Sequence, residues 1–224
     1  MRVVRPDAQS VPDALALSLR MLADGEGPAL VVHRVHPPAI TCGRAQMKTV
    51  DMAAVAASGL ELVARGSGGG PVLWDDDLIA IDVILPEGDP RLPTDIVAAY
   101  RWVGEAVASA LTALGITGAR AVPPDEARAW PTGVASGLCF GGLSPWEVVV
   151  GDRKVLGLAQ VRKQAGAILQ VGVPMHLDAG RLAAAVGAPR AAADDLADRT
   201  AGVRDLAPHA TRDQVTEALI AALA

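Results

Sequence analysis

The chain has 224 residues, of which 51% are hydrophobic and 20% charged, with a formal net charge of −5 and a mean hydropathy of +0.31. This much apolar material excludes a disordered chain. The acidic balance leaves no basic footprint for nucleic acid, and two cysteines exclude a disulfide scaffold or a zinc ribbon. No apolar stretch reaches the ~18 residues of a membrane span, and Asp7 and Asp13 break any signal-peptide core. A cytoplasmic protein that binds neither membrane nor nucleic acid is expected.

Residues 11–24 read as a helix capped by Ser10, with Leu15, Leu19 and Leu22 on its apolar face. Short strands follow over Ala29–Val35 and Ala39–Gly43, separated by Pro37-Pro38. A short helix over Asp51–Ser58 stops at Gly59, and Leu60–Ala64 is a strand running into glycines. Val72–Trp74 and Leu78–Leu85 are strands around an acidic turn, Asp75-Asp76-Asp77. The longest helical pattern runs from Pro93 to Leu114, and the Pro-rich segment Ala121–Gly137 reads as a surface loop. Three strands follow, over Glu147–Val150, Lys154–Val161 and Gly166–Val173, the first two joined by a tight turn at Gly151-Asp152. Helices over Asp178–Val186, Pro189–Ala197 and Thr211–Ala224 close the chain. With no repeat, linker or low-complexity tract, residues 1–224 form one domain of mixed α and β structure.

Two segments have residues suited to chemistry. The loop Arg65-Gly66-Ser67-Gly68-Gly69-Gly70 lies between two strands. Adjacent glycines let backbone N–H groups approach an anion, and a plain hairpin connection is the alternative. It is neither a Walker loop, since no Gly-Lys-Ser/Thr follows, nor a dinucleotide fingerprint, since Pro71 takes the third glycine position. Lys154 sits just past a hairpin turn, with Leu156 expected on its side and Arg153 and Val155 on the other. It is either a solvated strand lysine or a cation stabilising developing negative charge. Cys42 reads as a core residue, whereas Cys139 lies among glycines that would expose it, and a cation such as Lys154 would favour its thiolate. The four histidines form no metal-ligand pattern and are read as structural or exposed, the acidic turn as solvated, and the four Trp and lone Phe as core.

Three blocks together resemble one family. PPAITCGRAQ (37–46) is similar to a "Pro-Ala-x-Ser/Thr-x-Gly-x-x-Gln" strand, and VARGSGGGPVLWDD (63–76) to "Arg-Arg-x-Ser/Thr-Gly-Gly-x-x-Val-x-His-Asp". The run 139–172 is similar to "Cys-Phe…Glu-Leu-Val-Val…Arg-Lys-Val-x-Gly-x-Ala-Gln-x-Arg…Ile-Leu-Gln-His-Gly". In this order they resemble the lipoate-protein ligase and octanoyltransferase family, related to biotin protein ligases, and most of all its Cys-dependent amidotransferase branch. The resemblance implies an α+β fold, a central mixed β-sheet flanked by helices as in class II synthetases and biotinyl/lipoyl transferases. It implies Cys139 as nucleophile and Lys154 as the active-site lysine. Arg65, Ser67, Gly68, Gly69 and Gly70 would hold the acyl head, and Gly157, Ala159 and Gln160 would line the acyl channel.

The amidotransferase reading needs no cofactor and no metal: an octanoyl thioester on acyl carrier protein passes to Cys139, then to a lysine of an apo lipoyl domain. Such domains belong to 2-oxoacid dehydrogenase subunits and the glycine cleavage carrier protein. An ATP- and Mg²⁺-dependent ligase acting on free lipoate is the first alternative, and a non-catalytic acyl-binding paralogue the second. The chain departs from the family pattern at Trp74 and Val171, where histidines are expected, and around Leu17 and Ser18, where an acidic pair is expected.

Overall fold

The computed structural model describes residues 1–224. Its elements are β1 (Arg2–Val4), α1 (Val11–Ala23), β2 (Ala29–His33), β3 (Ala39–Gly43), α2 (Met52–Ser58), β4 (Glu61–Arg65), β5 (Val72–Trp74), β6 (Leu78–Pro86), α3 (Arg101–Ala113), β7 (Ala119–Ala121), α4 (Pro124–Ala129), β8 (Val148–Val150), β9 (Arg153–Lys154), β10 (Gly157–Lys163), β11 (Gly166–Pro174), α5 (Ala179–Ala185), α6 (Arg190–Arg199), α7 (Val203–Leu206) and α8 (Arg212–Leu223). Single 3-10 turns lie at Met47–Thr49, Ala98–Tyr100 and Val134–Gly137.

Three sheets result. The largest has the order β1-β2-β6-β11-β10 and is antiparallel except for the β1–β2 pair. A second runs β4-β3-β5, with β3 parallel to β4 and antiparallel to β5, and a third runs β7-β8-β9. Mixed sheets flanked by helices are what the sequence implies. β6 is central in the large sheet and buried on both faces, so it is apolar along its length except at Asp82. Its residues Ile79, Ile81, Val83 and Leu85 pack in one core with α3 and α8. Leu78 and Ala80, on the opposite face, belong to a second core with Ile40, Val72 and Trp74 of the small β4-β3-β5 sheet. The candidate site lies between these two sheets.

Local boundaries follow their chemistry. Asp51 caps α2 by accepting from the N–H groups of Ala53 and Ala54, and Gly59 ends it at φ 70°. Thr211 and Gln214 form a capping box on α8.

Four expectations need correction. The buried stripe of α1 is Val11, Ala14, Ser18, Met21 and Leu22, while Leu19 is exposed, because Ser18 takes a core position by bonding His33. The α-helix itself starts at Arg101, since Asp95 caps a turn through the N–H groups of Val97 and Ala98 that continues as the 3-10 turn Ala98–Tyr100. The segment 121–137 holds the end of β7, then α4, whose first position is Pro124, where a proline's missing N–H costs nothing. The strand expected over Lys154–Val161 is two strands in different sheets, β9 and β10, broken at Val155-Leu156, which are both fully buried. The alternation expected beyond Lys154 therefore ends with β9.

Candidate active site

Cys139 is placed by a compressed turn. Its N–H donates to the carbonyl of Pro71 (3.0 Å), tying it to the end of the glycine loop. The next residue, Phe140, has φ 70°, a left-handed conformation rare for a bulky side chain and the kind of strain that gathers at functional sites. A Cβ at Gly141 would run into the carbonyl of Ala135, and one at Gly70 into that of Gly137. Glycine at both positions lets the turn press against the loop. A Cβ at Gly157, the first residue of β10, would lie 3.4 Å from the Phe140 ring and 3.8 Å from Cys139 Sγ, so the sulfur sits directly over that strand.

Lys154, at the end of β9, is buried. Its Nζ lies 2.6 Å from Glu147 Oε2, donates to the carbonyl of Gly142 (2.9 Å) and stands 5.4 Å from the centroid of the Phe140 ring. Glu147, equally buried, also accepts from the N–H groups of Ser144 (2.6 Å) and Leu158 (3.0 Å). The solvated reading of Lys154 is excluded. Burial pushes the Cys139 thiol above its ordinary pKa, while the charges of Lys154 and then Arg65 pull it back and Glu147 pushes it up further. Lys154 thus acts on the sulfur in the expected sense, but burial outweighs it and the net shift is upward.

The glycine loop is built around Arg65. Its guanidinium donates to the carbonyls of Gly68 (2.8 Å), Gly70 (3.0 Å) and Thr41 (3.0 Å), and the carbonyl of Gly69 accepts from the N–H of Gly43 (3.0 Å). In a trans peptide the N–H points opposite to the preceding C=O. With the carbonyls of Gly68 and Gly69 turned toward Arg65 and Gly43, the N–H groups of Gly69 and Gly70 point away from those partners, and both residues line the cavity. Arg65, its donors divided between the loop carbonyls and Thr41 of β3, fixes the shape of the loop. Gly69, at φ 101°, adopts a conformation only glycine takes easily.

The cavity has a volume of about 240 Å³ and lies between the large sheet and the β4-β3-β5 sheet. Cys139, Lys154, Arg65, Gly68, Gly69, Gly70, Gly157 and Ala159 all line it. Ser67 does not, but its hydroxyl, 2.5 Å from Gln170 Oε1, tethers the loop to β11. Gln160 is a correction. It follows Ala159 on β10 and so points to the other face, where its Nε2 donates to the carbonyl of Ile96 (2.9 Å). Sequence reading missed Glu147 and Asp82, which also line the cavity. Of the departures from the family pattern, Trp74 and Val171 line it, and the Trp74 ring lies 5.9 Å from the imidazole of His33. Cys42 is fully buried in β3, as expected. No group of three or more His, Cys, Asp or Glu is arranged to hold a metal ion.

Comparison with known proteins decides the family. The family model described as lipoyl protein ligase A/B catalytic domain matches residues 12–224. The chain belongs to that family. Within the lipoyl protein ligase A/B family it is similar to a protein named octanoyltransferase LipM from Exiguobacterium sp. (36% identical over 184 residues, 79% of this chain and 66% of the relative). It is likewise similar to one of the same name from Kyrpidia tusciae (34% over 211 residues, 89% and 76%). The chain thus spans about two thirds to three quarters of the length of these relatives. Among solved structures it shares its fold with a lipoate-protein ligase A bound with ATP (22% identical, TM-score 0.78, covering 99% of this chain and 83% of that one). It shares it also with a bipartite lipoate protein ligase from Thermoplasma acidophilum, studied with its E2 lipoyl domain (21%, TM-score 0.72, 99% and 81%). No helix is long and apolar enough to cross a membrane.

Proposed function

We propose that this chain is an acyltransferase that moves an octanoyl or lipoyl group onto a lysine of a lipoyl domain through a thioester on Cys139. One observation carries the reading: a cysteine thiol and a buried lysine ammonium line the same cavity, beside the glycine loop. The names of the LipM relatives support octanoyl as the acyl class.

The first step exchanges one thioester for another, so it needs no ATP. Cys139 Sγ attacks the carbonyl of an acyl thioester on acyl carrier protein; the carrier sulfur leaves and takes up the proton that Cys139 loses. Lys154 and the loop N–H groups stabilise the oxyanion that forms in between. In the second step the neutral amine of the acceptor lysine attacks the acyl-enzyme, an amide forms, and the displaced Cys139 sulfur recovers a proton from that amine. The acceptors on this reading are apo lipoyl domains of 2-oxoacid dehydrogenase subunits and the glycine cleavage carrier protein, and the reaction is cytoplasmic.

Incubation with octanoyl-acyl carrier protein without ATP, followed by intact mass measurement, is expected to show one octanoyl group on the chain and none on Cys139→Ala. No adduct, or an adduct that survives the substitution, overturns the proposal. A ligase acting through an acyl adenylate is the second reading, favoured by the glycine loop and Lys154 lining one cavity. It predicts lipoate-dependent pyrophosphate exchange, which the first reading does not.

A further inference from the structure

The floor of the cavity is not uniformly apolar. Residues paired across neighbouring strands share a face of the sheet. Gly157, Gly172, Ala80 and His33 form one such row across β10, β11, β6 and β2; Ala159, Gln170, Asp82 and Val31 form the next. From the sulfur above Gly157, the floor of the sheet along the path over Gly172 to Ala80 carries no side chain larger than a methyl group, and the Phe140 ring and Leu78 flank it above Gly157 and Gly172. Two strand spacings make it about 10 Å long, and an extended eight-carbon acyl chain spans roughly 9 Å. The path ends where Asp82 and Trp74 line the cavity.

Asp82 is 2% exposed. Its Oδ2 is 3.0 Å from His33 Nε2, which is also 3.3 Å from Ser18 Oγ. His33 and Ser18 are themselves buried, so the carboxylate is held from behind. Its other oxygen, Oδ1, accepts from no protein group and is not among the fully enclosed unpartnered atoms, which leaves it to the cavity. Burying a carboxylate oxygen against a methyl group is costly unless a donor replaces the lost water. A site of this kind rejects the analogue that lacks the donor.

We infer that Asp82 is a specificity-determining residue, and that the slot favours acyl groups bearing a hydroxyl or thiol on their sixth to eighth carbons over the plain alkyl chain. The inference rests on the reading that this cavity takes the acyl group. The test is single-turnover loading of Cys139 from octanoyl, 6-hydroxyoctanoyl and 8-hydroxyoctanoyl thioesters, followed by mass. The native chain is expected to load at least one hydroxyoctanoyl isomer about tenfold faster than octanoyl, the effect of one charge-assisted hydrogen bond. Asp82→Ala is expected to bring the ratio close to one. A ratio between two substrates of the same protein is insensitive to a general loss of stability. If Asp82→Ala does not fold, Asp82→Asn, which keeps an acceptor for His33, is expected to lower the ratio. Octanoyl loading as fast as every hydroxy isomer, or a ratio unchanged in a folded variant, overturns the inference. If no thioester loads, transfer itself fails, and calorimetry with the free acids decides separately: tighter binding of a hydroxy acid than of octanoic acid sustains the inference, and equal or absent binding overturns it.

Discussion

Glu147 accepts from three donors at once, and only one of them, Lys154, is charged. The ion pair is buried on both sides, so removing one partner leaves the other without compensation; Glu147→Gln is expected to cost about 3–5 kcal/mol, read as a lowered Tm. The same pair tunes the sulfur in opposite directions, since Lys154 pulls the thiol pKa down and Glu147 pushes it up. Alkylation of Cys139, measured in a Cys42→Ala background, follows the thiolate fraction. Because burial raises this pKa above 9.0, the rate is expected to climb about tenfold per pH unit from neutral pH up to 9. Lys154→Met is expected to move the profile to higher pH and Glu147→Gln to lower pH. Shifts in the same direction would refute the assignment of charge.

At the level of elements, the break between β9 and β10 shapes the site. It lets Lys154 belong to one sheet and Gly157 to another while both line one cavity. Gly157→Val would fill the space between Phe140 and Cys139 without asking the strand for an unusual conformation. Loading with acyl groups is expected to fall at least tenfold, with far-ultraviolet circular dichroism unchanged. Much of this architecture was legible in the chain. Val72–Trp74 was read residue for residue, and the ends of α2 followed from Asp51 and Gly59, because a capping side chain and a left-handed glycine act locally. The break after Lys154 was not legible, since apolar residues run through it unbroken and only tertiary packing divides them. The resemblance brought Cys139, Lys154 and the glycines to one cavity, yet it gave no pairing: Glu147 stood in the motif without a role, and Asp82 lay outside every motif. Glu147 meets Lys154 across the β8–β9 hairpin, and Asp82 meets a histidine 49 positions earlier in the chain. Periodicity cannot expose such pairs. Arg65 is a subtler case: its position was anticipated, but its donors serve the loop's own carbonyls.

For the molecule as a whole, the single tyrosine offers a probe of alkaline stability. Burial pushes the Tyr100 hydroxyl up to about 12 from its ordinary 10.0, against the pull of its hydrogen bond with Gln160. Between these values the folded chain holds a proton that the unfolded chain has released, so stability falls as pH rises past 10.0 and this contribution levels off above about 12. Tyr100→Phe is expected to flatten that part of the curve of Tm against pH. Absorbance titration of the phenol follows the same event directly, since no second tyrosine is present.

The backbone of Lys154 is itself clasped: Thr200 bridges to it in parallel, and the N–H of Ala201 donates to its carbonyl at 2.9 Å. The peptide that presents the ammonium group is therefore anchored by a segment almost fifty positions further along. A truncated version ending before Thr200 would keep the thiol, the glycines and the floor of the slot, yet lose the clamp that aims the cation, and so would keep a chamber without its electrostatic alignment.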